Sequence, residues 1–449
     1  MIRVERELTE DADDAVRIVS GLLRRGDHGE AFRERRTSVA WNASEAGLLH
    51  PAFSDERGTA IRIRRGADTL LLAREGDGPA ALREVVRDAS RRAGGSPFLK
   101  TRPKPTGSPL PPEAGEEERT ATLAAALARA LPDPRGITAA LTIAHIRTTR
   151  AVVTSRALVF CGTTSRLVAS GFVRRAEATR PFAFQSLAPF GAAADALSHA
   201  LADAARPVPA SGPPAGRVDA VFSPSAASVF WHEVVGHPLE AEGGERHSVL
   251  SRVPNAVVGP AGLFVTDDPT RPDLPGHYAF DDEGTPARAV PLVEDGRVTG
   301  LLTDRRTGGA LSNGHARCSD YRRPPRARIS SLVVPAGDVP PESLVERCGH
   351  GLFVREISSG SADPESGRFL LVVEAASAIR RGRLGAPLAR FALAGDALSS
   401  LRHLDAGRSD VPAPASGLGL CVKGGDPVPV GGDSPAILLR GLAVTGGGS

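Results

Sequence analysis

The sequence predicts an α+β protein: helices packed on antiparallel sheet in the N-terminal part, and a β-rich C-terminal part that carries one conspicuous helix. Three observations predict it. Amphipathic helical periods and short alternating strands share roughly the first 200 residues. Two stretches rich in proline and small residues interrupt the chain, and beyond the second, strand-like runs bounded by turn residues dominate. Hydrophobic residues make up 41% and charged residues 24% of the 449, enough to fill and solvate packed interiors, and the length points to more than one domain.

From Leu8 to about Leu23, Ala15, Val16, Ile18, Val19, Leu22 and Leu23 fall on one helical face, and Arg24-Arg25-Gly26 ends the run. Strand-like segments follow at 31–41, 59–63 and 69–73, with Gly58 and Gly66-Ala67-Asp68 as turn signals. A second helix is expected over 79–92, burying Leu82, Val85 and Val86. Residues 101–118 are rich in proline, glycine and glutamate, lack a hydrophobic period, and read as a linker or exposed loop. A helix over 120–131, strands at 137–146, 151–161 and 166–173, and an alanine-rich helix over 192–205 follow. This order divides the first half into α+β subdomains at 1–100 and 119–206, with a linker at 207–217 and a C-terminal domain at 218–449.

That last domain opens on a buried strand at 218–222. Ser223 reads as an N-cap with Pro224 at the first helical position. The helix they start carries His232, Glu233 and His237, and Gly243-Gly244 is expected to stop it. Segments 287–293 and 297–302 flank Glu294-Asp295-Gly296 as a hairpin, and 352–357 and 369–374 flank the turn-rich 358–367. Further strands are expected at 329–334 and 389–394, and a helix near 396–403. The whole is read as a curved or doubled β-domain with the motif helix packed against it.

Composition narrows the function classes. The 55 basic residues against 52 acidic give a formal charge of only +3, so pairs such as Arg322-Arg323 and Arg380-Arg381 read as solvated faces and no nucleic-acid partner is expected. The four cysteines, Cys161, Cys318, Cys348 and Cys421, are far apart and form no disulfide framework. The segment Met1–Arg6 has no apolar run and no stretch of 18 apolar residues occurs, so neither a signal peptide nor a membrane span is expected, and a cytoplasmic, reducing location follows.

The stretch His232-Glu233-Val234-Val235-Gly236-His237 concentrates the chemistry. With 11 histidines and 52 acidic residues among 449, about 0.03 such patterns are expected by accident. The familiar zinc-helix signature places its histidines four apart; here they are five apart, which on an ideal helix turns the rings about 140° from each other. A single wide π turn absorbs the extra residue and brings both rings to one side. Gly236 supplies conformational freedom where such a turn is needed, and Pro238 lacks the amide a regular helix would use. A catalytic zinc takes three protein ligands and leaves a fourth position for water. His232 and His237 supply two, and Glu233 beside them is placed to act as general base. Glu240, Glu242, His247 and Cys421 are the candidates for the third. Cys421, set in a polar, glycine-rich loop, is poorly explained as core packing and suits zinc as a thiolate.

Five blocks then resemble one family: 232–237; Phe280-Asp281-Asp282-Glu283-Gly284-Thr285-Pro286; Asn313-Gly314-His315; Ser366-Gly367-Arg368-Phe369; and 419–431 with Cys421 and Val428-Pro429-Val430-Gly431. In order and spacing they are similar to the TldD/PmbA metallopeptidases, across about 218–447, with Gly58-Thr59-Ala60-Ile61-Arg62 as the best match in the N-terminal half. The resemblance implies one zinc per chain held by His232, His237 and Cys421, with Glu233 as the catalytic glutamate. The histidine motif places the chain on the TldD-like, active side. The resemblance further implies short or unfolded peptides as substrates, and a dimer formed with an identical chain or with a PmbA-like sister. Candidate substrate-binding or oxyanion-stabilising residues are His315, Tyr321 and Arg322. The competing readings are a non-catalytic peptide-binding subunit and a dedicated leader-peptide maturation protease.

Overall fold

The computed structural model describes residues 12–23, 28–44, 47–48, 51–66, 68–92, 115–131, 137–155, 159–175, 178–207, 211–241, 248–252, 255–335, 340–406 and 419–446. The loop expected at 101–118 lies mostly outside them.

The N-terminal half is built on a seven-stranded antiparallel sheet of β1 (His28–Ser44), β2 (Gly47–Leu48), β3 (Ala52–Arg65), β4 (Asp68–Glu75), β5 (Ile137–Thr154), β6 (Val159–Arg175) and β7 (Ala178–Ser186). Its order is β4-β3-β1-β5-β6-β7, with β2 on β1. The division into subdomains at 1–100 and 119–206 gives way here to one sheet: β1 and β5 pair continuously from Glu30 with Thr154 to Ala43 with Leu141. Each half satisfies its own helical and strand periods, so nothing local announces this long-range seam. The strand expected at 151–161 is split by a turn, because β5 runs on to Thr154 and β6 begins at Val159. The polar run Arg147-Thr148-Thr149-Arg150 stays in the strand, where Arg150 meets Asp282 of the C-terminal half. The strand β7 had no sequence signal strong enough to mark it.

Alternation along β1 explains the layering. Ala31, Val39 and Trp41 face helices: Ala12–Leu22 and Pro79–Arg92 cover one end of the sheet through Ala15, Val19, Leu82 and Val85, and Glu116–Ala130 with Phe190–Ala204 cover the other through Leu123 and Leu197. The opposite face meets the C-terminal half. There Phe32, Ala60 and Val152 pack with Tyr321 and Phe280, while Arg150 bonds both Glu34 and Asp282.

The C-terminal half is a doubled β-structure. In one sheet β8 (Arg217–Phe222) lies between the parallel strand His350–Ala362 and the antiparallel strand Ile437–Thr445. Pairing continues through Phe391–Asp396 to Arg368–Arg380, which pairs back with His350–Ala362, so the circuit closes on itself. The exposed strand Arg383–Leu388, also unforeseen, pairs with the far end of Arg368–Arg380. A second sheet takes Arg297–Val298, Val290–Glu294, Val265–Asp267, Ser331–Val333 and Gly431–Asp433 in that order. The expected hairpin at 294–296 forms its edge. One large core holds Phe222, Phe230, Trp231, Val234, Leu332 and Phe369, drawn from both sheets and from the motif helix. Among the described residues no helix is long and apolar enough to cross a membrane.

Candidate metal centre

The motif helix begins as the sequence dictates. Ser223 Oγ accepts the Ala226 amide at 3.2 Å and Pro224 occupies the first turn. Regular α-helix runs over Pro224–Trp231, then His232–Gly236 forms one π turn in which the His237 amide donates to the His232 carbonyl, five residues back. That single wide turn absorbs the extra residue between the histidines. Their ring centroids lie 4.7 Å apart, nearly perpendicular. The chain then tightens into a 3₁₀ turn, His237–Leu239, at Pro238. The stop expected at Gly243-Gly244 lies outside the described residues, and the helix has already ended before it.

Gly236 corrects the sequence argument. Its φ of −60° is ordinary helical backbone, so conformational freedom is not what the position needs. A Cβ there would stand 2.6 Å from Ile329 Cδ1 and 3.1 Å from Leu332 Cδ1; the glycine supplies room for the second sheet to approach.

The remote element is a hairpin, Leu420–Lys423 paired with Asp426–Pro429 and turned by Gly424 and Gly425 at φ of 58° and 70°. Gln185 Nε2 of β7 fastens its base by donating to the carbonyls of Gly419 and Val430 at 2.6 and 3.0 Å, and Arg328 donates to the Cys421 carbonyl at 2.7 Å. Cys421 thereby comes to the π turn. Ligand atoms of His232, His237 and Cys421 all lie within 4.8 Å of one another, and Cys421 Sγ is 3.5 Å from His237 Nε2.

Charge is strongly tuned in this pocket. Burial resists ionisation of Cys421, but hydrogen bonds from His232 and His237 outweigh it and bring the thiol down to about 5. Burial likewise resists charge on His237, yet the Glu240 carboxylate and Cys421 raise it to about 10. Glu240 is held well below the usual carboxylate range: the penalty of burial is overcome by His237, Lys423 and Arg328. Glu233 moves the other way, raised chiefly because burial strips its carboxylate of water. The strand His350–Ala362 passes directly against it, and a Cβ on Gly360 would fall 2.6 Å from Glu233 Cγ.

The donor set fits a divalent metal. Two imidazoles and a thiolate are borderline-soft ligands. Zinc–ligand bonds of about 2.0–2.3 Å in tetrahedral array separate ligand atoms by about 3.5 Å, matching the Cys421–His237 distance. His232 Nδ1 is buried and has no hydrogen-bond partner among the described residues.

The other sequence candidates fall elsewhere. Glu240, weighed as a third ligand, instead accepts from His237 Nδ1 at 3.1 Å, the Ile329 amide at 2.9 Å and Lys423 Nζ at 2.7 Å. Glu242 and His247 lie outside the described residues. His315 is fully buried, its Nε2 3.1 Å from Asp267 and its Nδ1 3.1 Å from the Asn313 carbonyl. Tyr321 is core: its ring fills the space over Gly58 of β3, where a Cβ would come within 2.1 Å of it. The Arg322 guanidinium stacks 4.3 Å above that ring. His315 is engaged by Asp267 and Asn313, and Tyr321 lies where the N-terminal sheet meets the C-terminal half, a meeting of surfaces that sequence spacing does not show. Cys161 is only partly buried, and Cys318 is enclosed with Arg62 and Asp282. The residues missed by sequence reasoning are Lys423 and Gln185. Lys423 had a signal, standing two positions after Cys421 on the same face of a strand. Gln185 had none.

Two histidines on a broken helix, a glutamate beside the first and a thiolate opposite define a metallopeptidase type of centre. Residues 215–446 match the PmbA/TldA metallopeptidase C-terminal domain, and the chain belongs to that family. A metalloprotease of Methanothermobacter thermautotrophicus is 33% identical over 249 residues, 54% of this chain and 53% of the relative. The metalloprotease TldD homolog of Haemophilus influenzae is 28% identical over 240 residues, 52% of this chain and 49% of the relative. The alignment thus spans about half the length of the curated relatives it matches. The crystal structure of TldE from Thermococcus kodakarensis superposes with a TM-score of 0.74 at 17% identity, covering 97% of this chain and 99% of that one, and so shares the fold.

Proposed function

We propose that this chain is a zinc-dependent peptidase that hydrolyses short or unfolded peptides in a reducing, cytoplasmic setting. The observation that carries the reading is the convergence of His232, His237 and Cys421 at ligand distance, achieved by a π turn and a hairpin nearly two hundred residues away. A zinc held by these three residues would supply Lewis acidity for a carbonyl and lower the pKa of a bound water. Glu233, stripped of water by burial and with its pKa raised above the ordinary carboxylate value, stands beside His232 as the group that would take a proton and pass it to the leaving amine.

The sheet supports one path for the substrate. β8 pairs with His350–Ala362 only through Leu352–Val354, and beyond Val354 no other strand among the described residues pairs with that edge. The same stretch brings Gly360 against Glu233. An extended peptide adding to this edge would carry its backbone past the general base, recognised through main-chain hydrogen bonds rather than side chains. Pairing with an identical chain or a PmbA-like sister would enclose that path, which sedimentation with and without a sister chain tests.

The decisive variant is Glu233→Gln. It is expected to keep its zinc, measured by elemental analysis, while cleavage of an unstructured peptide falls by about 10²–10⁴. Full turnover in the zinc-loaded variant would refute the role, and tight peptide binding without cleavage by the wild type would favour a non-catalytic subunit.

A further inference from the structure

The two halves of the metal group come from parts of the chain that share no strand pairing, and one carboxylate joins them. Glu240 Oε2 lies 3.1 Å from His237 Nδ1 and 2.7 Å from Lys423 Nζ, while its Oε1 takes the Ile329 amide at 2.9 Å. The side chain is wholly enclosed. With the Glu240 carboxylate holding a proton on Nδ1, Nε2 is the ring nitrogen that faces Cys421 and would bind an ion there. Alternation places Cys421 and Lys423 on the inner face of the hairpin, whereas Leu420 and Val422 on its outer face are 53% and 64% exposed. Burial of the outer face therefore contributes little to holding the first strand of the hairpin in place. Its inward polar anchors, Lys423 among them, carry that task.

We propose that Glu240 and Lys423 are positioning residues of the metal centre: Glu240 aims Nε2 of His237 at the ion, and Lys423, bound to the same carboxylate oxygen, holds the Cys421 hairpin at ligand distance. This rests on the metal-centre reading above. It gives Lys423 a task the charge balance of the chain would not suggest, since it is one of only three lysines in a chain whose cations are otherwise arginines.

The test measures zinc affinity of the full chain by competition with a chromophoric chelator, and thiolate-to-cobalt charge-transfer absorption after cobalt(II) loading. The proteins are wild type, Lys423→Met, Lys423→Arg, Glu240→Gln, the Glu240→Gln/Lys423→Met double variant and Cys421→Ser. Lys423→Met is expected to weaken zinc binding about 10- to 100-fold and to diminish the thiolate band, with Lys423→Arg recovering most of both. In the Glu240→Gln background, adding Lys423→Met should change affinity by less than about two-fold, because the lysine acts through the carboxylate. Unchanged affinity and an undiminished band in Lys423→Met would overturn the proposal, as would losses that simply multiply in the double variant. Should Glu240→Gln fail to fold, the methionine and arginine variants decide alone. A wild type that binds no zinc would instead refute the centre itself, and Cys421→Ser shows what loss of the thiolate looks like.

Discussion

Gly236 shows how one atom can decide a site. Adding a methyl group there forces Ile329 and Leu332 off the π turn, so Gly236→Ala is expected to cost about 1–3 kcal/mol in denaturant unfolding and to weaken metal binding with it. Asp267 is the second such position. Fully buried, it accepts from His315, from the Ser330 amide and hydroxyl, and from the Ser331 amide, and these bonds hold its pKa down against the cost of burial. A carboxylate whose pKa falls on folding adds stability that is fully present above its unfolded value near 4 and drains away as pH drops through the lower folded value. Asp267→Asn should therefore cost about 1–3 kcal/mol at pH 7. The gap to wild type should narrow in acid, and a gap independent of pH would contradict the assignment.

At the scale of elements, the sequence was most informative where geometry is local. The Ser223 cap, Pro224, the five-residue histidine spacing and Pro238 together demanded a helix with a wide turn, and the wide turn lies at His232–Gly236. The helix at 79–92 and the 294–296 hairpin were equally legible, since periodicity and turn chemistry fix them without reference to the rest of the chain. Cys421 stood out because a cysteine in a glycine-rich polar loop lacks a packing reason. What could not be read was pairing between distant segments: the β1–β5 seam, the role of Glu240, and the enclosure of His315 and Tyr321 all depend on which surfaces meet.

The whole molecule depends on a polar seam between its halves. Arg150 bridges Glu34 on β1 and Asp282 in the C-terminal half, and it also donates to the Ser319 carbonyl; Arg62 donates to the Asp282 carbonyl. Asp282→Ala leaves Arg150 with Glu34 alone and takes the acceptor from the buried Cys318 amide, so it should destabilise the protein by about 1–3 kcal/mol in thermal or denaturant unfolding, with little change for an exposed pair such as Arg252–Glu365. The same seam lets β7 fasten the Cys421 hairpin through Gln185, so the N-terminal sheet is part of what assembles the metal group.

Elemental analysis of the purified chain, wild type beside Cys421→Ser, is the most direct test of the central claim. The arrangement of His232, His237 and Cys421 predicts about one zinc per wild-type chain, lost or much weakened in the variant. A wild type that stays empty after zinc is supplied under reducing conditions, or equally tight zinc in both proteins, would contradict it.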